Sequence, residues 1–127
     1  MPSDTVQRFI DGLRQSEQGN DPGPVAALFG DDAELANLTH TRKGKDGARQ
    51  FWAEYLRAFK AVRSDFFAVN EADRFAVLEW TSTGELPAGG PIAYKGVSVL
   101  ELADGRVTRF RTYYDSAAFV APKPADA

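Results

Sequence analysis

Four successive segments in the second half of the chain are rich in β-branched and aromatic residues, and they constrain the fold most. They read "VRSDFFAV", "RFAVLEWTSTGEL", "IAYKGVSVLEL" and "RVTRFRTYYDS", a composition typical of strands. Turn-forming sequences separate them: "NEAD", then "PAGGP", then Asp104 followed by Gly105, a strong hairpin signal. We therefore predict four strands, of which the last three form an antiparallel meander.

The beginning of the chain predicts an amphipathic helix. Val6, Phe9, Ile10 and Leu13 fall at i, i+3, i+4 and i+7, which places them on one face of a helix. Ser3 precedes this pattern and can cap the helix, because its hydroxyl can accept a hydrogen bond from an amide of the first turn.

Two further helices and a short strand are predicted before the β-rich half. The segment "NDPGPVAALFGDD" reads as a short helix that Asp21 caps, with Pro22 at its first position and Gly30 ending it in a left-handed conformation. The segment "AELANL" then reads as a short strand. From Gly44 onward apolar residues repeat at helical spacing and predict a third helix, through Ala48, Phe51, Trp52, Tyr55, Leu56 and Phe59.

Three helices followed by a long antiparallel sheet predict an α+β fold with helices on one sheet face. The length of 127 residues is that of a single domain. Its core should extend over about residues 4–119. Residues 120–127 should form a tail, because the proline-containing "APKPADA" has little apolar surface to bury.

Composition excludes several functions. The net charge is −3 and no run of lysine and arginine exceeds the pair Arg42 and Lys43, so nucleic acid is not an expected partner. The absence of cysteine excludes disulfides and thiolate metal sites. No apolar run is long enough to span a membrane, and the beginning lacks the pattern of a secretory signal. We expect no membrane association and a cytoplasmic protein.

Four local strings, in this order, resemble the ketosteroid-isomerase-like, nuclear-transport-factor-2-like superfamily, and its SnoaL-like branch in particular. They are "VQRFI", "ALFGDDAEL", "GKDGARQFW" and "ADGRVTRFRTYYD". The resemblance implies a cone-shaped fold, in which a curved sheet with mixed or antiparallel strands wraps around a long helix. An apolar pocket opens into the cone. It does not imply one activity, since the fold hosts enzymes and binding modules alike.

The isomerases of this superfamily use a carboxylate base, a tyrosine and a protonated aspartic acid, the arrangement by which ketosteroid isomerase stabilises its oxyanion. The resemblance aligns Asn37 with the base, Phe9 with the tyrosine and Ser98 with the aspartic acid. None of the three can take over the role of its counterpart, so this isomerase chemistry is not expected.

The epoxide hydrolases and polyketide cyclases of the superfamily are the next comparison. Limonene epoxide hydrolase uses an aspartate, arginine and aspartate set with an assisting asparagine; here Trp80, Ser82 and Thr112 take the first three positions and only Asn37 matches. Cyclases use an aspartate as acid and base, and local matching does not assign that residue in this chain. Cyclase-type activity stays open.

Strand alternation predicts the lining of the pocket independently of the family. If Trp80 points inward, alternate residues on the same strand and its neighbours share that face. The expected ligand-binding residues are Leu35, Asn37, Leu78, Trp80, Ser82, Tyr94, Ser98, Phe110, Thr112 and Tyr114. The charged strand residues, among them Glu79 and Asp115, fall on the opposite face. The predicted pocket is therefore apolar and aromatic and contains no carboxylate.

His40 and Asp115 are the candidate catalytic residues. His40 is the single histidine and lies in the loop before the third helix, where it is either an acid or base at the pocket mouth or an exposed loop residue. Asp115 either ends the last strand as a hydrogen-bonding group or reaches the pocket as a general acid. No metal is expected, because the chain has no second histidine and the nearby carboxylates are not at ligand spacing. No cofactor is expected either.

The outer sheet face should carry Val77, Thr81, Thr83, Val97, Val99, Val107 and Tyr113. Such a face is too apolar to remain in water, so we predict a homodimer formed through it.

Three functions follow. The first is a SnoaL-like domain protein that binds a small, mostly apolar molecule in its cone. The second is an enzyme of cyclase, isomerase or epoxide-hydrolase type acting on a small hydrophobic substrate. The third is a non-catalytic dimerisation module whose cavity is filled by its own side chains.

Overall fold

The computed structural model, which describes residues 3–120, contains helices and a six-stranded sheet, and two of the strands precede the third helix. The elements are α1 (Asp4–Gly19), α2 (Gly23–Ala26), β1 (Phe29–Ala36), β2 (Thr41–Lys43), α3 (Gly44–Arg57), β3 (Ala61–Glu71), β4 (Phe75–Glu85), β5 (Pro91–Ala103), β6 (Arg106–Tyr114) and a final 3₁₀ helix (Ser116–Phe119). Of the predicted tail, 121–127 lies outside the described residues. The predicted α+β class is confirmed.

The first helix is capped and buried as the sequence predicts. The Ser3 hydroxyl accepts a hydrogen bond from the Val6 amide at 3.3 Å, and the helix ends at Asn20, whose φ of 51° is left-handed. The apolar stripe from Val6 to Leu13 is at most 5% exposed. It continues through Ser16 and Glu17, which are also buried.

The segment after α1 differs from its prediction in two places. The short helix begins at Gly23, whose amide donates to Asp21 Oδ1 at 3.0 Å, and it ends at Ala26. Gly30 does not terminate a helix; it lies inside β1, which starts at Phe29. β2 was not predicted, because three residues in a polar loop carry no strand pattern. β2 is a strand because it pairs antiparallel with β1, where Leu35 lies opposite Arg42.

The six strands form one sheet in the order β2-β1-β6-β5-β4-β3. Strands β3 to β6 pair antiparallel with their chain neighbours, which confirms the predicted meander. β1 pairs in parallel with β6, so the sheet is mixed. At the β5–β6 hairpin, Asp104 and Gly105 both have positive φ, 53° and 74°, as a two-residue type I′ turn requires.

A register shift in the β5–β6 pair changes the outer-face prediction. Glu101 pairs with Arg109 but Leu102 pairs with Val107, which leaves Thr108 as an additional residue. Such a bulge interrupts strict alternation. Val107 therefore lies on the inner face, fully buried in the core, and its predicted place on the outer face is wrong.

The core lies between the helices and the concave face of the sheet. Phe9 of α1, Trp52 of α3 and Phe110 of β6 meet there, with ring centroids 5.7 Å apart for Phe9 and Phe110 and 5.1 Å for Trp52 and Phe110. Burying a ring of this size stabilises the fold by roughly 1.5–3 kcal/mol. These contacts hold α1 and α3 against the sheet and leave a cavity beside them.

None of the helices within residues 3–120 combines the length and apolar character needed to cross a membrane.

Candidate functional site

An open cavity of about 290 Å³ lies between the helices and the concave sheet face. Phe, Trp and Tyr supply eleven of its 21 lining residues. An aromatic wall of this kind favours flat apolar molecules and organic cations over strongly hydrated ones. The prediction of an apolar, aromatic pocket agrees with this lining.

Eight of the ten residues expected to contact a ligand line this cavity. They are Asn37, Trp80, Ser82, Tyr94, Ser98, Phe110, Thr112 and Tyr114. The other two, Leu35 and Leu78, are fully buried in the core and do not line it. Their strands face inward as predicted, but near these two residues the helices cover the sheet.

Trp80 is held in place by a glycine and a hydroxyl. A Cβ at Gly96, the residue opposite it on β5, would lie 2.7 Å from Trp80 Cζ2 and would also collide with the Tyr113 carbonyl oxygen. The indole Nε1 donates to Ser98 Oγ at 2.9 Å, and Ser98 Oγ lies 3.0 Å from Thr112 Oγ1. The Trp80 ring therefore forms a fixed wall of the cavity.

A buried carboxylate, Glu17, lies behind another part of the cavity wall. The Tyr55 hydroxyl donates to Glu17 Oε2 at 2.7 Å and the Ser64 hydroxyl donates to the same oxygen at 2.6 Å. The Ser64 backbone amide donates to Oε1 at 3.0 Å. Ser82 Oγ lies 2.7 Å from Ser64 Oγ. We call Glu17, Tyr55, Ser64 and Ser82 the inner cluster; all except Glu17 line the cavity.

Burial governs the ionisation of this cluster. Loss of solvent raises the pKa of Glu17 above its usual value, while the hydrogen bonds from Ser64 and Tyr55 oppose that rise. The pKa of Tyr55 is raised well above its ordinary value by burial and by the negative charge of Glu17. Burial also raises the pKa of Tyr94. Both tyrosines therefore keep their protons at neutral pH.

A second set of polar side chains lies at the exposed rim of the cavity. Arg42 donates two hydrogen bonds to Glu54, each 2.9 Å long, and these lower the pKa of Glu54. His40 Nε2 is 3.9 Å from Glu54 Oε2, and His40 Nδ1 is 2.9 Å from Thr39 Oγ1. Asn37 Nδ2 lies 3.4 Å from His40 Nε2. We call these five residues the rim cluster.

The prediction of a cavity without carboxylates is wrong. Strand alternation does turn Glu79 away, but the helices supply Glu54 in the lining and Glu17 directly behind it. A sequence signal for Glu17 exists, because it lies four residues after Leu13 on the α1 stripe. Glu54 likewise follows Phe51 by three residues on α3.

The two candidate catalytic residues occupy different environments. His40 lines the cavity, with its side chain 31% exposed. Asp115 is exposed, and its Oδ1 accepts a hydrogen bond from the Ala117 amide at 3.1 Å, which caps the final 3₁₀ helix. That helix brings Phe119 against Tyr94, with 4.8 Å between ring centroids, so Phe119 completes the aromatic lining.

The positions that align with catalytic groups of the related enzymes do reach the cavity. Phe9, Asn37 and Ser98 line it, as do Trp80, Ser82 and Thr112. None of these side chains is an acid or a base. Within residues 3–120, no group of three His, Asp or Glu side chains is placed to hold a metal ion.

A family model described as "SnoaL-like domain" matches residues 6–110. Among solved structures, TerC co-crystallised with polyporic acid is 19% identical, with a TM-score of 0.78 over 91% of this chain and 92% of that chain. No curated protein sequence matches the chain.

Two further solved structures share the fold. A hypothetical protein with a ketosteroid isomerase-like fold from Catenulispora acidiphila DSM 44928, in complex with trimethylamine, is 16% identical, with a TM-score of 0.81 over 96% of this chain and 100% of that chain. A nuclear-transport-factor-2-like protein from Exiguobacterium sp. 255-15 is 20% identical, with a TM-score of 0.73 over 87% and 98%. At these identities the likeness shows the fold alone.

Proposed function

The chain belongs to the SnoaL-like domain family, and from that premise we propose that its cavity binds a small, mostly apolar organic molecule. The observation that carries the proposal is an open cavity of about 290 Å³ whose lining is mainly aromatic. Ligand sites in proteins commonly enclose about 300–1,000 Å³, so this one suits a molecule of one or two rings.

The solved relatives support the class of ligand and not its identity. TerC was co-crystallised with polyporic acid, and the Catenulispora protein was crystallised in complex with trimethylamine. The two molecules differ in size and charge. For this chain we take from them only that proteins of this fold accommodate small organic molecules.

Calorimetric titration with a panel of one-ring and two-ring compounds tests the proposal. Ala58 lines the cavity at the end of α3 and is exposed, so Ala58→Trp should obstruct the entrance without disturbing the core. Arg57→Trp, one residue earlier and outside the lining, is the matched control. Binding that is lost only in Ala58→Trp supports the proposal, and no binding of any compound to the unmodified protein contradicts it.

Catalysis on a small hydrophobic substrate is the second candidate function. The observation in its favour is His40, a titratable side chain in the cavity lining with Glu54 and Thr39 beside it. Incubating the protein with each compound that binds and analysing the products by mass spectrometry tests it. Turnover that disappears in His40→Gln while binding persists would establish an enzyme.

We also infer that two copies associate through the outer sheet face. Val77, Val97 and Val99 of the central strands are only partly buried there, and Tyr113 is 48% exposed. Light scattering at micromolar concentration should give the mass of a dimer. Val97→Asp should give a monomer, because it introduces a charge in the middle of this face. A monomeric unmodified protein would contradict the inference.

A further inference from the structure

We propose that the Glu17 carboxylate, which accepts hydrogen bonds from three donors, makes the inner cluster a set of hydrogen-bond acceptors, so that the cavity selects a small aromatic molecule carrying a hydrogen-bond donor. A hydroxyl group or a protonated amino group is such a donor, whereas a carboxylate is excluded. This inference rests on the proposed function and adds the chemistry of the ligand's polar group.

The direction of the hydrogen bonds follows from the acceptors available. An ionised carboxylate can only accept, so both hydroxyls that contact Glu17 Oε2 must donate to it. These are the hydroxyls of Tyr55 at 2.7 Å and Ser64 at 2.6 Å. Each hydroxyl has one hydrogen, so neither has another to offer to a ligand. The Tyr55 oxygen keeps free lone pairs in the cavity wall.

The same reasoning extends along the chain of hydroxyls. Because the hydrogen of Ser64 is directed to Glu17, the 2.7 Å contact between Ser64 and Ser82 requires Ser82 to be the donor. The Tyr94 hydroxyl lies beside Ser82 and Tyr55, and its single hydrogen can be donated to only one acceptor. The hydroxyl hydrogens of the inner cluster therefore point toward Glu17, and the oxygens of Tyr55 and Ser82 remain to accept from a ligand.

The surrounding charges favour a cation and disfavour an anion. Among residues 3–120, Glu17 has no ion pair. Arg14 and Arg63 line a surface groove on its other side, and Asp65 adds a negative charge nearby. The carboxylate of the cavity lining, Glu54, is already paired with Arg42, so the unpaired negative charge is that of Glu17. A protonated amine would offset the buried negative charge and contact aromatic ring faces as well.

A ligand series built on one ring tests the selection. Benzylamine and phenol carry donors, acetophenone offers only an acceptor, phenylacetate is an anion, and ethylbenzene has no polar group. Calorimetry at pH 8 should show benzylamine and phenol binding about tenfold more tightly than acetophenone, with phenylacetate weakest. Equal affinities throughout would overturn the inference and leave the proposed function intact. No binding at all would overturn the proposed function itself.

Glu17→Gln gives the sharpest result, because it should reverse the preference. The Ser64 amide fixes the carbonyl oxygen of the new side chain at the Oε1 position. Its NH₂ group then faces Tyr55 and Ser64 and donates to them, which releases their hydroxyl hydrogens toward the cavity and Ser82. Acetophenone should gain about tenfold and benzylamine should lose about tenfold.

Control variants separate this reversal from other effects. Glu79→Gln makes the same substitution on the exposed opposite face and should leave the ligand order unchanged. A loss of benzylamine binding in Glu17→Gln without any gain of acetophenone would show an effect of charge alone and overturn the assignment of acceptors. If Glu17→Gln does not fold, Tyr55→Phe replaces it: removing the acceptor oxygen should weaken phenol binding several-fold and leave ethylbenzene unaffected, and equal effects on both would contradict the inference.

Discussion

The cavity has a carboxylate at each of two places, and their surroundings are opposite. Glu54 in the rim cluster is 27% exposed and receives two hydrogen bonds from Arg42. Glu17 in the inner cluster is 9% exposed, and neutral hydroxyls and a backbone amide are its hydrogen-bond partners. The pKa of Glu54 is lowered by Arg42, and that of Glu17 is raised by burial.

The difference shows what each carboxylate does for the fold. Glu54 and Arg42 can separate into water at little cost, as exposed ion pairs do. The hydroxyls of the inner cluster have little access to solvent, since Ser64 is 3% exposed and Ser82 only 1%. The inner cluster therefore depends on Glu17 for satisfaction of its hydrogen bonds, while the side chains of the rim cluster can be hydrated.

The largest expected effect is on stability. Glu17→Ala would remove the acceptor that the Tyr55 hydroxyl and both donors of Ser64 share, and would leave the Ser64 hydroxyl only Ser82 or Tyr55 as an alternative; this should lower the free energy of unfolding by roughly 2–4 kcal/mol. Glu54→Ala should produce a clearly smaller loss, because Arg42 can be hydrated. Urea denaturation followed by circular dichroism measures both. Equal losses in the two variants would refute the contrast between the clusters.

Part of this contrast was predictable from the sequence. The helical period identified the buried stripe of α1, and strand alternation placed eight of the ten expected residues at the cavity. The partners of Glu17 were not predictable, since Tyr55 and Ser64 lie 38 and 47 residues away along the chain. A glutamate at the end of an amphipathic helix is most often solvated, and only the tertiary structure makes this one an exception.

Bulges were the other obstacle. The extra residue Thr108 in β6 brought Val107 to the inner face, and no local pattern in "RVTRFRTYYD" marks it. A second shift, between Phe66 and Ala68 in β3, leaves the intervening Phe67 64% exposed. Alternation predicts which face of the sheet a side chain occupies as long as no bulge intervenes, and beyond a bulge the predicted face is the wrong one. The sequence alone therefore does not assign the face of a residue that lies beyond a bulge.

The two carboxylates should also respond to pH with opposite signs, an effect smaller than deletion of Glu17. Folded Glu17 holds its proton to higher pH than the unfolded chain, so its contribution to stability falls as pH rises from 4.5 through the raised pKa. Folded Glu54 loses its proton more readily, so its contribution is full above pH 4.5 and is lost as pH falls through the lowered pKa.

Measuring the free energy of unfolding between about pH 3 and pH 8 separates the two contributions. In Glu17→Gln, the fall in the free energy of unfolding at pH values above the ordinary glutamate pKa should disappear. The pH dependence below that pKa should be unchanged. Glu54→Gln should flatten the acid side alone. A decline above that pKa which persists in Glu17→Gln would show that another group causes it.

The smallest expected effect concerns a third set of hydrogen bonds in the cavity wall, a set that contains no charged group. It shows how much a buried hydrogen bond contributes when no carboxylate is involved. Trp80 Nε1 donates to Ser98 Oγ, and Ser98 Oγ also contacts Thr112 Oγ1. Ser98→Ala leaves a largely buried indole N–H without its acceptor and should cost about 1 kcal/mol. Thr112→Val is the matched control, because it removes a neighbouring hydroxyl while Ser98 still accepts from Trp80.

Denaturation should therefore show a greater loss of stability for Ser98→Ala than for Thr112→Val, and tryptophan emission should shift only in Ser98→Ala. If the two variants behave alike, the indole is held by Gly96 and the surrounding rings and not by its hydrogen bond. A loss as large as that of Glu17→Ala would mean that burial alone, without the carboxylate charge, accounts for the sensitivity of the inner cluster.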